Sequence, residues 1–373
     1  MNRRKFLTVG SIVTAASLIG YFTTSNLITQ SRKKIETQIT ERWPDKLLGG
    51  GSTFVNPLMQ RWAYEFKRQK GYFGVDYQSI GSGQGIAKLK DQAVDFAASD
   101  GPLRKEDWEN LKNIRGGVIH IPITIGAVVL AFNLPIKELK LSQELVLKIF
   151  DGRIKRWNDK EIVNLNPELK DRNDDILVAY RADRSGTTFV WTDFLGQISK
   201  NEFPTDFSFK VPEREEDKRR FIGARGNEGV TEAIKSTENC IGYVELSYAE
   251  FNKLYHAHIQ NKRGNFVKAS LESISEAIQS VLEEVKLPEA YEDWSKVSLI
   301  RMEPPSEKAY PVVSFVYILT YREHSTEKAL ALKEFFSWVL KDGQKYASEL
   351  KGYIPLPPRA IEFSLKAISY IRT

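Results

Sequence analysis

The chain has 373 residues, 42% of them hydrophobic and 27% charged, with one cysteine and a net charge of +6. This is a globular composition, long enough for two domains with their own cores, and it excludes a disordered chain or a disulfide-built scaffold. The charge is lopsided: +4 falls in residues 1–45 and +2 in the rest, where both signs are mixed, so no nucleic-acid surface is expected.

The chain begins "MNRRKFLTVGSIVTAASLIGYF". Arg3-Arg4-Lys5 precedes an uncharged run from Phe6 to Gln30, the pattern of an export signal with a twin-arginine-like start. The run is about long enough to span a bilayer. It lacks a clear small-x-small cleavage site and a cysteine for lipid attachment, so residues 1–30 are expected either to be removed or to stay as an anchor. With the positive start inside, the body lies outside the cytoplasm. Residues 31–45 are polar and read as a linker.

The body opens with "KLLGGGSTFVNPLMQRWAYEFKRQKG". Asn56-Pro57 suits a helix start. Leu58, Met59, Trp62 and Phe66 mark one helical face, and Gly71 lies at its end. "VDYQSI" reads as a strand running into "GSGQG", after which Ile86, Leu89 and Ala93 fall at helical spacing. "VDFAASD" is strand-like again. Alternating strands and helices predict an α/β protein with a mostly parallel sheet. "VIHIPITIGAVVLAF" at 118–132 is a β-type run containing Pro122, which predicts two strand pieces joined at a hinge. "YPVVSFVYILTY" at 310–321 predicts a second crossing. Residues 125–311 then form a lobe inserted into one made of 46–124 and 312–373, with a cleft between them. The charged stretch 203–221 reads as a solvated loop or helix.

Four stretches share one chemistry. "GGGSTFVNP" carries Ser52-Thr53-Phe54 before a helix. "IGSGQG" carries Ser82 at a strand-to-helix turn. "ASDGP" puts Asp100 at a strand end. "YRADRSGTTFVW" sets Arg181 and Asp183 before Ser185-Gly186-Thr187. Free N–H groups at helix starts favour an anion. Hydroxyls adapt to it, and arginine adds a planar charged fork. Singly, each is also ordinary: Gly-Ser-Thr caps helices, Asp100 suits an Asx turn, and Arg181–Asp183 suits a surface pair. "GSGQG" is no Walker loop, and G-x-G-x-x-G fails at Ile86. Together they predict a site for a tetrahedral oxyanion that uses no metal or other cofactor. A phosphatase is disfavoured, because no histidine lies in these stretches and no carboxylate cluster suggests a two-metal site.

The order and spacing of "GGGSTF", "YQSIGSGQGI", "VDFAASDGPL", "IPITIGAVVLAFN", "IFDGRIKRWNDKEIVNLNP", "YRADRSGTTFVWTDFL", "GNEGV" and "ENCIGYVELSYA" resemble the phosphate-binding proteins of Pst-type ABC importers over about 47–360. The resemblance implies a two-lobed type II periplasmic-binding fold with two hinge crossings. It implies a monomer that takes inorganic phosphate outside the cytoplasmic membrane and delivers it to an ABC permease, with no catalysis. Carried over by motif, Thr53 and Phe54 give N–H groups and Thr53 its hydroxyl. Ser82 gives N–H and hydroxyl, and Asp100 accepts the proton on phosphate. Arg181 pairs with an oxygen, Ser185, Gly186 and Thr187 close the cage, and Asp183 orients Arg181. Sulfate has no proton to offer Asp100 and meets bare repulsion. Arg184 and Val55 depart from the family pattern, in which a small residue and a proline are common. Two alternatives stay open: a membrane-anchored phosphate sensor, and a receptor for another tetrahedral oxyanion.

Overall fold

A computed structural model describes residues 43–279, 287–300 and 306–373. The expected export segment 1–30 and the linker up to residue 42 lie outside the described residues. The strands are β1 (Lys46–Gly51), β2 (Gly74–Ser79), β3 (Phe96–Ser99), β4 (Val118–Asn133), β5 (Lys140–Leu141), β6 (Leu177–Arg181), β7 (Phe221–Ala224), β8 (Cys240–Glu245), β9 (Tyr255–His256), β10 (His258–Gln260), β11 (Phe266–Val267), β12 (Val313–Tyr321) and β13 (Tyr353–Ile354).

The main sheet runs β2-β1-β3-β12-β4-β8-β6-β7. At one end β1 is parallel to β2 and β3. At the other, β6 is parallel to β7 and β8. Between them β12 and β4 run antiparallel to their neighbours. The sheet thus has two similar halves joined through β4. β5, β10 and β11 form a small separate sheet.

A strand buried on both faces reads as a continuous apolar run, whatever its direction. β4 is buried along its length up to Phe132. Its first part, Val118 to Ala127, pairs with β12, and its second, Val128 to Asn133, pairs with β8. The two pieces expected around Pro122 are therefore one strand. Pro122 sits where the register with β12 shifts between Val316 and Tyr317. Such a bulge tolerates a residue without an N–H.

The Asn56–Lys70 helix follows its pattern: Leu58, Met59, Trp62 and Phe66 are fully buried. Phe66 packs against Phe73, Phe335 and Trp338. Gly71 ends the helix in the left-handed region at φ 71° and donates its N–H to the Lys67 carbonyl, the conformation a residue without Cβ adopts most readily. The next helix is shorter than its spacing suggested. It spans Ser82–Lys90, and Gln92 turns left-handed at φ 55°, so Ala93 lies outside the helix and exposed.

The 203–221 stretch is also more anchored than its charge implied. It contains one short helix, Glu215–Lys218. Phe207 is fully buried, and Arg220 is buried against Asp217 at 3.0 Å. Among the described residues no helix is long and apolar enough to cross a membrane.

Candidate functional site

Every stretch singled out by sequence leaves the C-terminal end of a parallel strand, the edge where open α/β sheets place ligands. β1 runs into Ser52-Thr53-Phe54, β2 into Gly81-Ser82, β3 into Asp100 and β6 into Ala182 to Ser185. Helices starting at Asn56, Ser82 and Gly186 follow, and none has an acidic residue in its first turn. Their own first turns thus add no negative charge to the positive ends that would face an anion.

Arg181 ends β6 and is 2% exposed. Its Nε and Nη2 donate to the two oxygens of Asp183 at 2.7 and 2.5 Å. That bidentate pair holds the guanidinium plane and turns Nη1 inward. Nη1 donates to Thr53 Oγ1 at 3.1 Å and approaches Thr187 Oγ1 at 3.5 Å. The Arg181 N–H donates to the Tyr243 hydroxyl at 3.0 Å. Burial pushes the Asp183 carboxyl up, but the Arg181 hydrogen bond and charge, with the Gly226 N–H, outweigh it and hold it below the usual range. Arg181–Asp183 therefore joins a buried guanidinium to a half-buried carboxylate.

Asp100 is 1% exposed. One oxygen accepts from the Ser52 hydroxyl, and the other accepts from Thr187 Oγ1 at 3.2 Å. Burial raises its pKa to about 6, against the lowering effects of the Ser52 hydroxyl, the Arg181 charge and the Thr187 hydroxyl. It is not an Asx turn: its side-chain partners come from β1's loop and from the Gly186–Ile198 helix.

Gly186 marks the centre. A Cβ there would lie 2.5 Å from Ser82 Oγ and 2.7 Å from both the N and Oδ2 of Asp100. Ser82, Asp100 and Gly186 are thus packed so closely that no side chain fits at Gly186. Ser82 Oγ is buried and has no hydrogen-bond partner, which in a folded protein calls for an explanation. Ser185 does cap its helix, accepting from the Thr188 N–H at 3.2 Å. Its own N–H donates to the Phe207 carbonyl, which is how the 203–221 stretch braces the site. Phe54 gives its carbonyl to the Tyr353 hydroxyl at 2.7 Å.

Arg184 is exposed, while its backbone carbonyl accepts from the Gly83 N–H at 3.1 Å. This contact ties the β6 loop to the Ser82–Lys90 helix. Its side chain stands with Lys88, Arg225 and Glu228 around an open depression of about 650 Å³ that leads to Thr53.

Some of the network was not foreseen. Ser52, which in the sequence is only a neighbour of Thr53, is buried and donates its hydroxyl to Asp100. Asn227, in the marker "GNEGV", is fully buried and donates to both Thr53 Oγ1 and Thr187 Oγ1. Its signal was another glycine followed by a polar residue at a helix start, Gly226–Ser236. The Tyr248 hydroxyl lies 2.7 Å from the Thr53 carbonyl and 2.8 Å from Glu228 Oε1. No group of His, Cys, Asp and Glu able to hold a metal ion occurs among the described residues.

The model of the PBP superfamily domain matches residues 29–342. The phosphate-binding protein PstS of Methanocaldococcus jannaschii is 33% identical over 333 residues, covering 86% of this chain and 85% of that protein. The PstS of Haemophilus influenzae is 36% identical, covering 84% and 89%. Among solved structures, a high-affinity periplasmic phosphate-binding protein, PfluDING, bound with phosphate, superposes with a TM-score of 0.68 at 19% identity, covering 87% of this chain and 93% of that one. At that identity the likeness speaks for the two-lobed fold.

Proposed function

The chain belongs to the PBP superfamily and, within it, to the PstS family of substrate-binding proteins rather than enzymes, and from that premise we propose that it captures inorganic phosphate between two lobes and hands it to an ABC permease. The observation that carries this reading is the hydrogen-bonded chain Thr53–Arg181–Thr187–Asp100, with the buried, unpartnered hydroxyl of Ser82 beside Gly186 and Asp100. We take the lobes to be 46–124 with 312–373, and 125–311. The N–H groups of Thr53, Phe54, Ser82, Gly186 and Thr187 face the oxyanion, with the hydroxyls of Thr53, Ser82, Ser185 and Thr187. Arg181 supplies the positive charge, Asp183 holds Arg181, and Asp100 accepts the proton that phosphate retains at neutral pH. The protein acts as a monomer outside the cytoplasm. Residues 1–30 serve as an export signal or as an uncleaved anchor, which membrane fractionation and N-terminal sequencing distinguish; a start beyond residue 22 in a soluble fraction overturns the anchor.

Calorimetry with phosphate, arsenate, sulfate and molybdate tests the reading. One phosphate per chain is expected, with arsenate close behind and no heat from sulfate; sulfate binding equal to phosphate overturns it.

Gly186→Ala is expected to cut phosphate affinity by roughly a hundredfold or more, because the added methyl collides with the Ser82 hydroxyl and with Asp100 and pushes them apart. Its ligand-free unfolding transition is expected to fall as well, because the new Cβ would stand 2.7 Å from the Asp100 backbone nitrogen and the two loops must shift apart. Wild-type affinity in this variant would place the ligand elsewhere. Arg184→Glu is expected to slow phosphate association several-fold at low salt and to leave dissociation nearly unchanged, as for a charge at a mouth rather than in a cage. Stopped-flow binding at two ionic strengths checks this; a change confined to dissociation contradicts it.

A further inference from the structure

Asn227 sits between the two threonines that the phosphate reading uses. Its orientation is fixed by chemistry: the Glu245 backbone N–H, which can only donate, lies 3.0 Å from Asn227 Oδ1. The other amide atom is therefore the nitrogen, and it faces the hydroxyls, 2.9 Å from Thr53 Oγ1 and 3.2 Å from Thr187 Oγ1. The Asn227 backbone N–H adds a third approach, to Thr53 Oγ1 at 3.2 Å.

Thr53 Oγ1 consequently meets only donors: Asn227 Nδ2, Asn227 N and Arg181 Nη1. A hydroxyl oxygen has two lone pairs and one hydrogen. With its lone pairs engaged, the Thr53 hydrogen is left to point into the cage. Thr187 Oγ1 also accepts from Asn227, and its hydrogen goes to Asp100 Oδ2. The cage therefore has a donating end at Thr53 and an accepting end at Asp100.

We infer that Asn227 is a positioning residue that fixes the direction of the Thr53 and Thr187 hydroxyl hydrogens, so that a singly protonated oxyanion fits in one orientation, bare oxygen toward Thr53 and protonated oxygen toward Asp100. This rests on the phosphate reading. Asn227 need not touch the ion; it acts through the hydroxyls.

The test is a double-mutant cycle on the full chain, with phosphate calorimetry on wild type, N227A, T53V and the pair. Each single change is expected to cost about tenfold or more in affinity. In the N227A background, T53V is expected to cost clearly less than in wild type, because Thr53 Oγ1 keeps only the weaker-placed residue 227 N–H and Arg181 Nη1 to set its hydrogen. Losses that multiply overturn the inference, since a merely structural Asn227 would act independently of the Thr53 hydroxyl. N227D keeps the contact to Glu245 and carries the test if N227A does not fold. Its carboxylate cannot donate, so both hydroxyls turn toward it. A loss of a hundredfold or more is expected with the ligand-free thermal transition preserved, and wild-type affinity in N227D overturns the inference. A wild-type protein that binds no phosphate overturns the phosphate reading itself; wild-type binding with multiplying losses overturns only the role of Asn227.

Discussion

Arg181→Met is expected to lower phosphate affinity by roughly 10²–10⁴-fold. The guanidinium offers one or two charge-assisted bonds from the inward-facing edge, each contributing about 1.5–3 kcal/mol, so about 1.5–6 kcal/mol is at stake. The loss reaches beyond those bonds. Arg181 also holds Thr53 Oγ1 at 3.1 Å, and its charge helps to keep Asp100 ionised. A structural effect accompanies the binding effect, because Asp183 loses both of its guanidinium contacts and keeps the Gly226 N–H at 3.2 Å. The two effects separate in the double variant Arg181→Met, Asp183→Asn. The partnerless charge is gone, so the thermal transition should return toward wild type, while phosphate affinity should stay low. Recovery of affinity along with stability would remove Arg181 from the ligand and leave it a scaffold residue.

What the sequence made legible was local. A strand followed by Gly, Ser or Thr and then by a helix start is a short-range pattern, and Thr53, Ser82 and Gly186 each lie in one. Arg181 was legible because its counter-charge is only two residues away. Asp100 was legible through its place at a strand end, but its burial was not, since Ser52 and Thr187 reach it from distant parts of the chain. Asn227 and Tyr248 escaped for the same reason: their importance lies in partners more than a hundred residues away. Pro122 was misleading because its tolerance depends on a register shift in β12. The anchoring of Phe207 hid behind the charges around it, because one large apolar side chain is buried even inside a highly charged stretch.

Asp100→Asn is expected to change which anion is bound more than how firmly the fold holds. In the wild type a carboxylate faces the cage, and an ion with no proton meets its charge in a dry space where repulsion is poorly screened. An asparagine of the same shape can donate to a bare oxygen, so sulfate should bind the variant at least tenfold more tightly than it binds wild type. Phosphate should lose affinity, because its proton no longer has a charged acceptor. The direction with pH follows from the raised pKa. Burial places Asp100 at about 6, above an ordinary carboxylate, so the ionised form is the costly one in the folded protein. As pH falls through about 6 the side chain gains a proton and becomes a donor, and the barrier against sulfate should fall with it. Wild-type sulfate affinity should therefore rise between pH 7 and pH 5, whereas that of the asparagine variant should stay nearly flat. Sulfate titrations of both proteins across that range decide the matter: parallel pH profiles would show that discrimination resides in the shape of the cage and the donors around it, and not in the charge of Asp100.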